Sequence, residues 1–136
     1  MAVTANSIIT PQTPRAGTAL CTTLNSTYSA TPTNSQVLIT AGANGARVVR
    51  VTAIPLETVS DTQLQLFRDG DGSGTIKRFF RSAKMTAHTM AQTTEAPVTD
   101  FGYSDDNPLI LAAGEKVYAA IGATKNIALS AEWADY

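Results

Sequence analysis

The chain predicts an all-β fold: an antiparallel sandwich, jelly-roll-like, of about eight strands, with an extended N-terminal arm. Three observations carry that expectation. The segment Pro108–Gly122 sets two short apolar runs, Leu109-Ile110-Leu111 and Val117-Tyr118-Ala119-Ala120-Ile121, around an Ala-Gly-Glu turn, and such a pair reads as strands of a hairpin. The same rhythm of short runs and turn residues recurs from about Leu20 to the C-terminus, with no long helical pattern. Of the 136 residues 43% are hydrophobic but only 15% charged, and Thr, Ala and Ser fill the difference. Threonine suits pleated, half-buried positions because its branched Cβ is already restricted.

The length predicts one domain, large enough to bury roughly two-thirds of its unfolded surface without a metal or disulfide. Its surface is poor in charge, which protects weakly against association. That fits an ordinary Thr-rich β-protein, and equally a surface partly covered by partners.

Residues 1–17 stand apart as an arm, with the sandwich domain over 18–136. Ile8-Ile9-Thr10-Pro11-Gln12-Thr13-Pro14-Arg15 holds two prolines; each removes a backbone donor and restricts its predecessor, which excludes a central strand. Fully extended, such an arm reaches on the order of 55 Å, and Ile8 and Ile9 favour a docked arm over a frayed end.

Strands are expected next at about 19–27 and, after the Thr-Pro-Thr-Asn-Ser turn, at Gln36–Thr40. Asn44-Gly45 then reads as a hairpin turn, since both residues tolerate positive φ. The strand Arg47–Ile54 follows, closed by Pro55. Thr62–Arg68 alternates through Leu64 and Leu66, and Asp69–Gly74 forms a tight turn into a strand from Thr75 to about Ala83. Ile76, Phe79, Phe80 and Ala83 also fit a helical spacing; as a strand, the adjacent phenylalanines require two-sided burial or a bulge. Residues 86–96 are weakly patterned, Phe101–Pro108 is a loop, and Asn126–Trp133 is a closing strand with Ile127, Leu129, Ala131 and Trp133 on one face. The strand count and spacing are those of a sandwich or jelly roll.

Ten basic and eleven acidic residues leave a net charge of −1, which argues against nucleic-acid binding, where phosphate neutralisation supplies most of the affinity. The one basic concentration, Lys77, Arg78, Arg81 and Lys84, reads as a charge-guarded edge strand. Cys21 is the only cysteine and is expected as a buried thiol. The N-terminus has neither the basic nor the apolar region of a secretory signal, and nothing reaches transmembrane length. A soluble chain made in the cytoplasm is expected, with no membrane partner.

Asp69-Gly70-Asp71-Gly72-Ser73-Gly74-Thr75-Ile76 is the sharpest chemical motif. Oxygen-bearing Asp69, Asp71 and Ser73 at positions one, three and five, with Gly at six, match the start of a Ca²⁺ loop. The bidentate position is Phe80, however, and a strand rather than a helix precedes the motif, so a Gly-rich turn competes with the metal reading. His88, the single histidine, has no nucleophile motif beside it, and Asp100, Asp105 and Asp106 read as a solvated loop that bonds its own backbone. No enzyme activity and no cofactor are expected. Tyr118 and Trp133 read as core; Phe101 and Tyr103, flanking Gly102 in a loop, read as exposed contact residues.

Several stretches together resemble small virion proteins of tailed bacteriophages. These are Ile8-Ile9-Thr10-Pro11-Gln12-Thr13-Pro14, Ile39–Val48, Leu64-Gln65-Leu66-Phe67 before an Asp/Gly turn, Pro108–Glu115 and Glu132-Trp133-Ala134-Asp135-Tyr136. The nearest match is to the jelly-roll cement, or decoration, proteins of phage heads. The resemblance spans most of the chain, though each motif is mainly turn chemistry. It implies a structural protein on the capsid exterior, made in the host cytoplasm, that bridges major capsid protein subunits and self-associates as a homodimer or trimer. Ile8, Ile9, Pro11, Pro14, Arg15, Phe101 and Tyr103 are the expected partner-binding residues. The alternative expectation is a glycan- or receptor-binding β-module of a tail or head fibre.

Overall fold

Alternation decides the longest strands. In the closing segment Ile127, Leu129, Ala131, Trp133 and Asp135 are buried while the residues between them are not, because successive side chains of a strand point to opposite faces. The computed structural model describes residues 10–29 and 31–136. They form nine strands: β1 (Thr13–Cys21), β2 (Gln36–Thr40), β3 (Ala46–Pro55), β4 (Thr62–Asp69), β5 (Arg78–Met85), β6 (Thr99–Asp100), β7 (Leu109–Leu111), β8 (Lys116–Ile121) and β9 (Ile127–Asp135). Among the described residues there is no helix.

Two antiparallel sheets pack face to face. The first runs β1-β9-β3-β6, with β7 also on β3; the second runs β2-β8-β4-β5. β6 and β7 pair with opposite ends of β3, at Thr52–Ala53 and Ala46–Val48. They thus act as one strand interrupted by residues 101–108, and the count returns to eight positions in two interleaved sheets, a double Greek-key arrangement.

That topology corrects two expectations. Neither Gly42–Gly45 nor Pro108–Gly122 is a hairpin, for β2 and β3 lie in different sheets, as do β7 and β8. The turn chemistry is present, with Gly45 at φ 91° and Gly114 at φ 69°, but each turn is a corner that carries the chain across the core. The two corners sit together: Gly114 N–H donates to Gly42 O at 3.0 Å and Ala41 N–H to Glu115 O at 2.8 Å. A Cβ on Gly45 would stand 2.5 Å from Leu111 O. Gly45→Ala therefore meets both an unfavourable φ and a backbone clash, and is expected to cost about 2–3 kcal/mol, read as a lower urea midpoint.

The boundary of the arm also moves. Thr13–Gly17 belong to β1 and pair with Asp135–Ala131 of β9, so the sandwich begins at Thr13 and not at 18. Pro14 is accommodated because β1 is an edge strand. The β1 strand ends at Cys21 where residues to 27 were expected. Cys21 itself is buried, donating to Ala119 O at 3.6 Å, and burial pushes its thiol up to about 11.

Of the segment with competing periodicities, Arg78–Met85 is a strand, whereas Thr75 and Ile76, expected within it, lie in the connection before it; both devices expected of the adjacent phenylalanines occur. Leu66 pairs with Arg81 and Phe67 with Phe79, which leaves Phe80 as an extra, bulged residue. Phe80 packs on the main core and Phe79 on a second cluster. The second cluster lies on the outer face of the second sheet, where Phe67, Tyr118 and Ala120 are buried. Asn25 and Tyr28, from the segment that follows β1, lie over it. The Tyr28 ring lies 5.1 Å from that of Phe79, and Asn25 Nδ2 donates to Gln65 Oε1 at 2.9 Å. Asn25 Oδ1 accepts from the Thr33 amide at 3.1 Å, and these bonds fix the covering segment. The middle of the second sheet, at Phe67, Tyr118 and Ala120, is thereby buried on its outer face as well.

Candidate functional site

The outer face of the first sheet carries the candidate site. Register sets Pro14, Ala134 and Arg47 in one row across β1, β9 and β3, with Ala16 opposite Glu132 in the next. A register shift between Val48 and Arg50 inserts Val49 as a bulged residue. Pro11, Pro14, Ala16, Val49 and Ala134 line a groove of about 680 Å³, with Arg47 and Glu132 at its sides. Small side chains leave the hollow, since none is long enough to cover its neighbour. Arg47 also donates to Asp105 O, which ties the 101–108 segment to one end of the groove.

Farther along the same face runs an apolar row. Leu20, Ala128 and Ile54 lie side by side across β1, β9 and β3, with Leu20 52% exposed. Leu56, two residues beyond Ile54, and Val98, which leads into β6, are 50% and 55% exposed.

The expected partner-binding residues separate on this map. Pro11 and Pro14 line the groove. Arg15 borders it too, but its Nε donates to Asp135 Oδ2 at 3.0 Å, and Asp135 Oδ1 accepts from Gly42 N–H at 3.1 Å, so its charge braces the first strand against a corner. Ile8 and Ile9 fall outside the described residues. Phe101 and Tyr103 are buried, at 3% and 9% exposure, and are not contact residues. The Phe101 amide donates to Val51 O at 3.0 Å, extending the β6 pairing, and Gly102 at φ 93° turns the chain. Arg81 then closes over them, donating to Phe101 O at 2.6 Å with its guanidinium 5.0 Å from the Tyr103 ring. Both side chains turn to the core.

No family model matches this chain, and no curated protein matches it.

The Asp-rich turn spends its oxygens on its own backbone. Asp69 is 2% exposed and accepts from the Gly74 amide. Asp71 Oδ1 accepts from the Ser73 amide at 2.9 Å, and that bond, with the Ser73 hydroxyl and Asp69 beside it, holds the Asp71 carboxyl down at about 2. Ser73 Oγ in turn accepts from Thr75 N–H at 3.2 Å. This is the bonding of a Gly-rich connection between β4 and β5. Among the described residues no three His, Cys, Asp or Glu side chains converge as metal ligands. His88 engages through its backbone, exchanging 2.9 Å bonds with Val59, and Asp100 Oδ1 accepts from Gly102 N–H at 2.8 Å.

Sequence reading missed the strongest electrostatic feature. Glu115, 3% exposed in the β7–β8 corner, receives both Nε and an Nη of Arg68, at 2.6 and 2.9 Å, and the Ala112 amide at 2.9 Å. Burial alone would raise its pKa, but Arg68 and the amide outweigh it and hold the carboxyl below its ordinary 4.5. The partners lie 47 residues apart in the chain, and no local pattern announces them.

Proposed function

We propose that this chain is a structural protein of a tailed-phage virion that binds the outside of the capsid and cements neighbouring major capsid protein subunits. The observation that carries the reading is the contrast between the two sheets. Asn25 and Tyr28, from the segment after β1, lie over the outer cluster of the second, whereas the first presents a groove and an apolar row. An open face with a groove of apolar floor and charged sides, beside an exposed apolar row, suits a partner surface. Each such contact is modest, but repeated placement on a shell of identical subunits converts weak contacts into firm attachment. The turn motifs that resemble phage decoration proteins point the same way, and Pro11 and Pro14, two of the expected partner-binding residues, line the groove.

The test is co-sedimentation of purified chain with heads of the parent phage that lack it. Ala134→Arg places a long charged side chain in the groove, on the outer face of β9. Pelleting with heads is expected to fall at least tenfold, with the unfolding midpoint little changed because the site faces solvent. Wild-type chain that stays in the supernatant counts against the capsid reading; an A134R chain that pellets normally counts against the groove. Deleting residues 1–17 would not test the arm alone, because it would remove over half of β1.

A further inference from the structure

We infer that the groove on the outer face of the first sheet takes an uncharged, extended peptide segment of a partner protein, with one leucine-sized aliphatic side chain seated between Ala16, Val49 and Ala134. This rests on the reading of that groove as the docking site, and it names the chemistry of what enters.

The floor and the rim of the groove differ in chemistry. Pro11, Pro14, Ala16, Val49 and Ala134 make a floor without a polar side chain. Its depth comes from alanine at 16 and 134, beside the bulged Val49. Four charged side chains stand around that floor. Arg47 and Asp105 lie at one end, where the guanidinium holds the Asp105 carbonyl. Glu132 lines the other end, and the exposed Arg50 is its register partner across β9 and β3. None of the four is engaged in an ion pair. Among the described residues the ion pairs are Arg15–Asp135, Arg68–Glu115, Lys84–Asp61 and Lys125–Glu57. The carboxylates of Asp105 and Glu132 accept no hydrogen bond there either.

That balance decides the class of occupant. Two cations and two anions, one of each at either end, give no net field, so neither a polyanion nor a charged tail is drawn to the groove. What the rim offers is donors and acceptors side by side. A sugar presents both as well, but its apolar face is served by an exposed aromatic ring, and Trp133 beside the groove is buried. An extended peptide meets both demands. Its N–H and C=O groups point sideways while alternate side chains point to one face. With one aliphatic side chain down on the floor, its N–H groups face Glu132 and Asp105, and its C=O groups face Arg47 and Arg50. Burial of that side chain supplies the affinity, and the rim satisfies backbone groups that lose water on docking.

The test is titration of the isotope-labelled full chain with capped heptapeptides at millimolar concentration, followed through its amide chemical shifts. The probe is Ser-Thr-Ser-Leu-Ser-Thr-Ser, acetylated and amidated. It is expected to shift the amides of Ala16, Val49, Glu132 and Ala134, and to leave the A134R chain unshifted. Replacing the probe's Leu by Ala should weaken binding about tenfold. Replacing both Thr by Asp, or both by Lys, should weaken it as well, and added salt should leave the neutral probe's affinity unchanged. N-methylation of the Leu amide removes a donor but keeps the side chain, and should also weaken binding. No shift at millimolar probe, shifts confined to other faces, tighter binding of either charged peptide, or indifference to N-methylation would each overturn the inference. Heads separate it from the capsid reading. A chain that binds the neutral probe but stays in the supernatant with heads supports this inference and counts against that reading. A chain that pellets through Ala134 yet prefers a charged peptide does the reverse.

Discussion

Arg68→Ala is expected to lower the stability of the fold by about 3 kcal/mol at neutral pH, read as a drop in the urea midpoint with an unchanged slope. The Glu115 side chain is 4% exposed and that of Arg68 34%, so removing the cation leaves a largely buried carboxylate with the Ala112 amide as its remaining protein donor. Breaking such a pair from one side costs more than the pair contributes, because the remaining charge is left without compensation. Arg68 also donates to Ile110 O at 3.0 Å, so the variant loosens β7 as well as the corner. The pH dependence has a definite sign. With its folded pKa lowered, Glu115 contributes stability that is complete above its ordinary 4.5 and is lost as pH falls through the lower folded value. Without Arg68, burial alone acts on the carboxyl and its pKa moves up instead. The gap between wild type and variant should therefore be widest near neutrality and narrow in acid. A gap that grows on acidification would mean that Glu115 is not the group responsible.

Phe67→Ala is expected to cost about 3–5 kcal/mol. Phe67 has no exposed surface and stands between β4 and the covering segment, its ring 5.4 Å from that of Phe79. The cavity would open beneath Tyr28, which touches the same ring. Residues 22–35 should accordingly exchange amide hydrogens faster than the inter-sheet core in this variant. Equal acceleration at β3 and β9 would show that the outer cluster is not a separate packing unit.

What the sequence disclosed and what it withheld divide along a physical line. Strands with one buried face were readable, because alternation is a local signal: β9 shows it through Ile127, Leu129, Ala131 and Trp133, and β2 occupies the expected Gln36–Thr40. Pro55 closes β3 as expected, and the basic cluster around Arg78 and Arg81 does guard an edge. Turn chemistry located the corners at Gly45 and Gly114 but not their destination, since positive φ reverses a chain equally well within a sheet or between two. Pro11 and Pro14 suggested an arm because proline excludes central strands, and an edge strand escapes that exclusion. Of the candidate site, Pro11 and Pro14 were legible as surface, whereas the groove they border depends on Val49, Ala134 and Glu132 from distant strands. Phe101 and Tyr103 misled because a loop next to glycine usually lies outside; here Arg81, from the neighbouring sheet, folds them in.

The pairing of β1 with β9 along its whole length, from Thr13 with Asp135 to Cys21 with Ile127, has a consequence for biosynthesis. β1 leaves the ribosome early, but its only described strand partner is made about a hundred residues later, at about 5–20 residues per second. For some seconds each nascent chain trails an adhesive ribbon with both margins bare. Chains growing side by side on one polysome are then at risk of docking to one another before either has finished, and crowded translation should favour entangled products over properly closed sandwiches.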